Sequence, residues 1–226
     1  MKMVIFDCDG VLVDSEAIAE GTLIEHLKRW LPDLDVANLL SQALGMTTAN
    51  ILRHLERLSA HSLPLDATEQ VDTAIEDRLA CELKAIDGAD QAIRSISLRK
   101  AVVSNSRRSR VLASLATTQL ADALGEVAIF TAEQVDNPKP DPALYQLAAT
   151  ALGQVPRDCL VVEDSVAGVT AAHAAGMCVI GFVGASHVDA EQSARLTEVG
   201  AWRILAHMHG LAALVDEWQA NGQSPG

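Results

Sequence analysis

The chain has 226 residues, 49% of them hydrophobic and 21% charged, enough for one large domain or two small ones and too apolar for a disordered polymer. No apolar run approaches the ~18 residues of a membrane span, and no basic leader precedes a hydrophobic stretch with a small-residue cleavage site, so a cytoplasmic chain that contacts no membrane is expected. Thirty acidic against seventeen basic residues leave a formal charge of −13 with only 3% aromatics, which disfavours nucleic acid and anionic membranes as partners but leaves room for a small anionic ligand at a local cation.

In chain order, Met3-Val4-Ile5-Phe6 is a continuous apolar run that stops at Asp7, the pattern of a strand buried on both faces. The next seventy residues show no strand. Helical patterning recurs there at 18–30, 48–58 and 68–83, punctuated by Pro32, Gly45 and Pro64, which reads as an inserted module with Asp87-Gly88 as the return linker. From Gly88 onward helices and strands alternate. Helices are predicted at 89–96, 109–115, 142–152 and 167–175. Strands are predicted at 101–103, 159–162 and 178–182, with weaker ones at 127–130 and 202–205, and the tail 221–226 is expected to fray. Alternation of this kind predicts an α/β protein: an open parallel Rossmann-like sheet with helices on both faces, plus an all-helical insert. The domains expected are a core of 1–14 and 86–226 and an insert of 15–85.

Polar residues gather where the predicted strands end. Asp7 and Asp9 follow the first and Ser104-Asn105-Ser106 the second. Lys139 lies in the stiff loop Asn137-Pro138-Lys139-Pro140-Asp141-Pro142, and Glu163-Asp164 follows the strand at 159–162. In an open α/β sheet the crevice beyond these carboxyl ends is where ligands bind. Each piece alone has an ordinary explanation. A DxD is commonly a solvated turn, Ser-Asn-Ser a helix cap, a lysine between prolines an exposed side chain, and Glu-Asp-Ser a capping group. Their shared placement on successive strand ends is not something capping requires.

Other signals are bland. Cys8, Cys81, Cys159 and Cys178 form no CxxC pair and read as buried free thiols; Cys8, between two carboxylates, is not expected to be a nucleophile. His207-Met208-His209 is better placed as surface or core than as a metal site, and neither GxxxxGK[ST] nor GxGxxG occurs.

The string Val4-Ile5-Phe6-Asp7-Cys8-Asp9-Gly10-Val11-Leu12-Val13-Asp14-Ser15-Glu16 resembles the first motif of the haloacid dehalogenase superfamily. Val103-Ser104-Asn105-Ser106, Lys139-Pro140-Asp141-Pro142 and Val161-Val162-Glu163-Asp164-Ser165-Val166-Ala167-Gly168 are similar to its second, third and fourth. An all-helical insert after the first motif resembles the subgroup with a helical cap, which includes small-metabolite phosphatases and β-phosphoglucomutases.

The resemblance implies a Mg²⁺-dependent phosphatase of a small phosphorylated metabolite. Asp7 would be the nucleophile and Asp9 the general acid and then base, a role that needs a proton held near neutral pH. The metal would be held by Asp7, the Asp9 carbonyl, Asp164 and Glu163. Ser104, Asn105 and Lys139 would receive the phosphoryl oxygens, the first through its hydroxyl and the second through its main-chain N–H. A cation is needed because unit charges ~4 Å apart repel by about 4 kcal/mol at an effective dielectric of ~20, and a phosphate dianion doubles this. The insert would choose the substrate, with Gly45-Met46-Thr47 resembling the loop that faces the site and Arg53 the nearest basic residue.

Three other chemistries and a non-catalytic protein on the same fold are the alternatives. Dehalogenation is disfavoured by the presence of Asp9. Phosphonate cleavage, which uses a cap lysine near the first motif, is disfavoured because the first lysine after that motif is Lys28. Phosphosugar mutation of the β-phosphoglucomutase type is disfavoured by Ala19, where those relatives carry histidine. A binding or regulatory protein is disfavoured because no catalytic group is missing.

Overall fold

The computed structural model describes residues 2–41 and 48–221. Gly45-Met46-Thr47 and the tail at 222–226 therefore lie outside the described residues. The chain runs β1 (Met3–Phe6), α1 (Glu16–Trp30), α2 (Val36–Ser41), α3 (Thr48–Glu56), α4 (Ala67–Glu82) and α5 (Ala89–Ser95). It continues through β2 (Arg99–Ser104), α6 (Arg108–Thr117), α7 (Leu120–Leu124), β3 (Ala128–Thr131), α8 (Ala143–Ala151) and β4 (Cys159–Glu163). The last elements are α9 (Val166–Ala174), β5 (Cys178–Phe182), α10 (Gln192–Glu198), β6 (Arg203–Leu205) and α11 (Leu211–Asn221).

All pairings in the sheet are parallel and its order is β3-β2-β1-β4-β5-β6. The first three strands therefore proceed in one direction from β1, and the fourth returns to its other side. The crevice of an open sheet lies at such a reversal, here between the carboxyl ends of β1 and β4. Parallel crossovers put helices over both faces, and β1, β4 and β5 are buried along their whole length. Alternate residues divide the core. Met3, Ile5, Ala101, Val103, Val161 and Val179 pack under α8, α9 and α10. Val4, Phe6, Val102, Leu160 and Val162, which point the other way by strand alternation, are equally buried.

Both weaker strand candidates are strands. β2 is longer than its apolar run because Arg99 and Lys100 enter the ladder opposite Met3 and Val4, where their side chains stay partly wet. The helices α2, α7, α10 and α11 were not among the predicted elements. α11 nevertheless buries Leu211, Val215 and Trp218 at helical spacing, and Lys2 Nζ donates to the carbonyls of Trp218 and Gln219 at its end, both at 3.1 Å.

The chain divides into two compact units, Met1–Ser15 with Leu83–Gly226, and Glu16–Glu82. At the junction of the first, Asp14 N–H donates to Lys84 O (3.0 Å), Ile86 N–H donates to Leu12 O (2.9 Å), and Val13 bridges Ala85 antiparallel. This paired stem keeps Ser15 and Leu83 with the sheet. The second unit carries α1 to α4 and no strand among its described residues. α1 and α4 pack together, burying Leu23 and Leu27 of one and Val71, Ile75 and Leu79 of the other, while Arg78 reaches Glu25 at 3.1 Å.

The expectation of four buried thiols fails at Cys81, which sits near the end of α4 and is exposed, while Cys8, Cys159 and Cys178 are buried. No described helix is long and apolar enough to cross a membrane.

Candidate active site

Asp7 extends the ladder one residue past β1, its N–H donating to Val162 O at 3.0 Å, and so places its carboxylate at the switch-point crevice. The chain then turns. Leu12 and Val13 N–H groups both donate to Cys8 O, and Gly10 adopts φ +75°, where a Cβ would be strained and would overlap the Asp164 carboxylate. Glycine here lets the first-motif turn close against the residue that follows β4.

Lys139 is the centre of the dry half of the site. The side chains of Lys139, Asp7 and Glu163 are only 3%, 8% and 1% exposed, so the lysine between prolines is not a surface group. Its Nζ donates to Asp7 Oδ1 (2.6 Å), Glu163 Oε1 (2.7 Å) and the Val103 carbonyl (3.0 Å). An ammonium has three protons, and protein acceptors take all three. Burial works against this charge, but Asp7 and Glu163 outweigh it and hold the Lys139 pKa well above its ordinary value. Burial pushes the Asp7 carboxyl up, with Lys139 pulling the other way. Tyr145, a buried residue of α8, completes the floor with its hydroxyl 3.4 Å from Glu163 Oε1.

Asp9 lies in a different setting. Three hydroxyls reach its carboxylate: Ser15 Oγ to Oδ1 at 2.7 Å, and Ser106 Oγ and Ser104 Oγ to Oδ2 at 2.7 and 3.3 Å. A hydroxyl can donate to a carboxylate or accept from a carboxylic acid, so this cradle suits a group that changes protonation state.

All the expected residues converge on the ends of β1, β2 and β4, and three of them make protein contacts that the motifs did not specify. The Ser104 hydroxyl donates to Asp9, because the turn after β2 folds back so that Ser106 N–H donates to Ser104 Oγ at 3.0 Å. The Asn105 side chain clamps the third motif, its Nδ2 donating to Lys139 O and its Oδ1 accepting from Lys139 N–H, both at 3.1 Å. Glu163 is saturated: Oε1 takes Lys139 and Oε2 takes Ser165 N–H (2.8 Å) and Oγ (2.9 Å). Gly168, where a Cβ would overlap the Glu163 carboxylate, lets α9 start directly over it. Ser165 does cap α9, accepting from Gly168 N–H at 3.0 Å.

Sequence reasoning passed over Ser15, Ser106, Tyr145, His187 and Gln192. The first two lay inside motifs already noticed and were readable as extra hydroxyls beside a carboxylate. The other three come from α8 and the segment after β5, which no motif marked. Cys8 is inert, since burial and the carboxylates of Asp9 and Asp7 push its thiol well above the ordinary value.

The donor set fits a hard divalent cation. Among the described residues no group of three or more His, Cys, Asp or Glu side chains is disposed to hold a metal. With both oxygens of Glu163 taken by Lys139 and Ser165, the oxygen donors of the first and fourth motifs that suit a cation are the carboxylates of Asp7 and Asp164 and the main-chain carbonyl of Asp9. Oxygen-only ligation by one or two carboxylates, completed by waters and a phosphate oxygen, is the habit of Mg²⁺.

Comparison with known proteins agrees with this geometry. A family model described as haloacid dehalogenase-like hydrolase matches residues 1–176. The chain is 30% identical over 188 residues to 6-phosphogluconate phosphatase of Escherichia coli, covering 83% of this chain and 85% of that one. Among solved structures, a conserved haloacid dehalogenase-like protein of unknown function from Agrobacterium tumefaciens superposes with a TM-score of 0.87 at 33% identity, covering 97% and 99% of the two chains. A haloacid dehalogenase family hydrolase from Deinococcus radiodurans, solved with bound phosphate and sodium, gives 0.81 at 31% identity, with 100% and 99% covered. From its strand-end carboxylates to its matched family model, the chain belongs to the haloacid dehalogenase-like hydrolases.

Proposed function

We propose that this hydrolase is a Mg²⁺-dependent phosphatase of a small phosphorylated metabolite of the sugar-phosphate or sugar-acid-phosphate kind, acting through a phosphoryl group carried on Asp7. The observation that carries the reading is the pairing of a buried carboxylate locked to an ammonium, Asp7 with Lys139, with a second carboxylate cradled by hydroxyls, Asp9. The relative that acts on 6-phosphogluconate and the neighbour with bound phosphate support the substrate class.

Asp7 attacks phosphorus, forming an acyl phosphate as the bond to the leaving oxygen breaks, and Asp9 hands its proton to that oxygen. Water then attacks the same phosphorus, Asp9 takes up the water proton, and the phosphorus–Asp7 bond breaks. The sum is phosphomonoester plus water giving alcohol plus phosphate. Covalent catalysis divides one very high barrier into two. Lys139 keeps Asp7 and Glu163 together and supplies the fixed positive charge the arriving phosphate meets. Mg²⁺, held by Asp7, Asp164 and the Asp9 carbonyl, would offset the charge of the transferring oxygens. The helical unit is the part we assign to substrate choice.

Purified protein is expected to release p-nitrophenol from p-nitrophenyl phosphate with Mg²⁺, to lose this with EDTA, and to be inert as Asp7→Asn, a loss on the order of 10⁶-fold where a nucleophile is deleted. A panel of phosphorylated metabolites should then rank sugar and sugar-acid phosphates first in kcat/KM. Metal-independent turnover, or full activity of Asp7→Asn, overturns the reading. Conversion of β-glucose 1-phosphate to the 6-phosphate in preference to hydrolysis assigns the chain to the mutases.

A further inference from the structure

The segment after β5 grips Asp164 and matches none of the motifs. Gln192, the first residue of α10, donates from Nε2 to the main-chain carbonyl of Asp164 at 2.5 Å. The amide is held in that orientation from its other end, because Arg195 donates to Gln192 Oε1 from Nε (2.9 Å) and Nη2 (2.6 Å). Arg195 is fixed in turn by Asp189 Oδ2 at 2.7 Å and Glu191 Oε2 at 3.7 Å. On the carboxylate itself, His187 Nε2 lies 3.5 Å from Oδ2, the oxygen that a Cβ at Gly10 would overlap. Asp164 is thus held at its main chain by an amide whose direction leaves no choice: a guanidinium can only donate, so Gln192 must turn its oxygen to Arg195 and its NH₂ to Asp164.

We propose that Gln192, oriented by Arg195, is a positioning residue for the metal site, setting the main chain of Asp164 so that its carboxylate stands ready for Mg²⁺ before the ion arrives. This rests on the reading of Asp164 as a metal ligand. Partners of this outer kind are worth about 10- to 100-fold in metal affinity. The 5% exposure of Asp164 makes pre-alignment valuable, since a ligand this enclosed has little room to adjust around an ion.

The test measures metal binding without substrate, by Mn²⁺ electron paramagnetic resonance and by the Mg²⁺-induced rise in Tm, on wild type, Gln192→Glu, Gln192→Met and Asp164→Asn. Gln192→Glu keeps length and the acceptor for Arg195 but offers no donor to the carbonyl; Gln192→Met loses both. Expected is a weakening of Mn²⁺ and Mg²⁺ affinity of about 10-fold or more in both Gln192 variants. Tm without metal should stay near wild type in Gln192→Glu, and kcat/KM should recover at high Mg²⁺. Wild-type affinity in Gln192→Glu, or a loss of kcat/KM that saturating Mg²⁺ does not restore, overturns the inference while leaving the site intact. If wild type binds no divalent ion, or Asp164→Asn binds as wild type does, the metal-site reading fails and takes this inference with it.

Discussion

The two carboxylates that flank Cys8 come from one turn and end in opposite surroundings. Asp7 is buried against an ammonium whose every proton is committed, with Glu163 bound to the same nitrogen. Asp9, two residues on, accepts from the hydroxyls of Ser15, Ser104 and Ser106. A carboxylate that must attack needs a fixed direction and a fixed countercharge, which burial strengthens. One that must exchange a proton needs partners content with either state. In the proposed mechanism it is environment that divides the labour, since the two side chains are chemically identical.

The comparison can be broken first at Asp9. Asp9→Asn should cost on the order of 10²–10⁴ in kcat on a sugar phosphate, whose leaving alkoxide needs a proton. With p-nitrophenyl phosphate the first step is spared, so rapid quench should show a stoichiometric burst of nitrophenol followed by slow turnover. Equal losses on both substrates would mean that Asp9 does not serve the leaving group.

Next comes the dry half. Lys139→Met leaves Asp7 and Glu163 as buried carboxylates without their ammonium, and should lower stability by about 3–5 kcal/mol, read from the urea midpoint. Adding Glu163→Gln should restore part of the loss, because one of the stranded charges disappears. An undiminished midpoint in the single variant would place the cluster in water rather than in the core.

A smaller effect is expected in the cradle. Ser106→Ala removes one of three hydroxyl hydrogen bonds to the Asp9 carboxylate, worth about 1.5 kcal/mol, so kcat should fall about 10-fold and stability by no more than that amount. A loss as large as that of Asp9→Asn would give Ser106 a part of its own in the chemistry.

The smallest concerns a third kind of carboxylate. Asp33, exposed in the helical unit, accepts from the Ser59 hydroxyl (2.5 Å), Ala60 N–H (2.8 Å) and His61 Nδ1 (3.1 Å), and these hydrogen bonds, Ser59 first, lower its pKa to about 2. A depressed carboxylate stabilises the fold above its unfolded pKa, ~3.9, and loses that contribution as pH falls toward 2. Asp33→Asn should therefore be slightly less stable than wild type at pH 5–7 and indistinguishable near pH 1–2, with carboxyl ¹³C titration giving the native value directly. A pKa near 4 would show that hydrogen bonds to exposed carboxylates do little here.

Amino-acid order alone determined the alternation of strands and helices, the helical insert and the polar residues at the strand ends, because apolar runs that stop at a polar residue can be read wherever a parallel strand is buried on both faces. It also determined the family, through motifs short enough to be contiguous. The tertiary structure decided everything that depends on which strand lies beside which. Strand order put β4 against β1, and only then does Gly10 meet Asp164 and Lys139 bridge two loops. It also decided who bonds to whom. Asn105 turns to the Lys139 main chain, Ser104 to Asp9, Glu163 to Ser165, and Gln192 to Asp164 from a segment without any motif. A hydrogen bond is directional and short, so its partner is chosen by the last ångström of packing, which no pattern along the chain records.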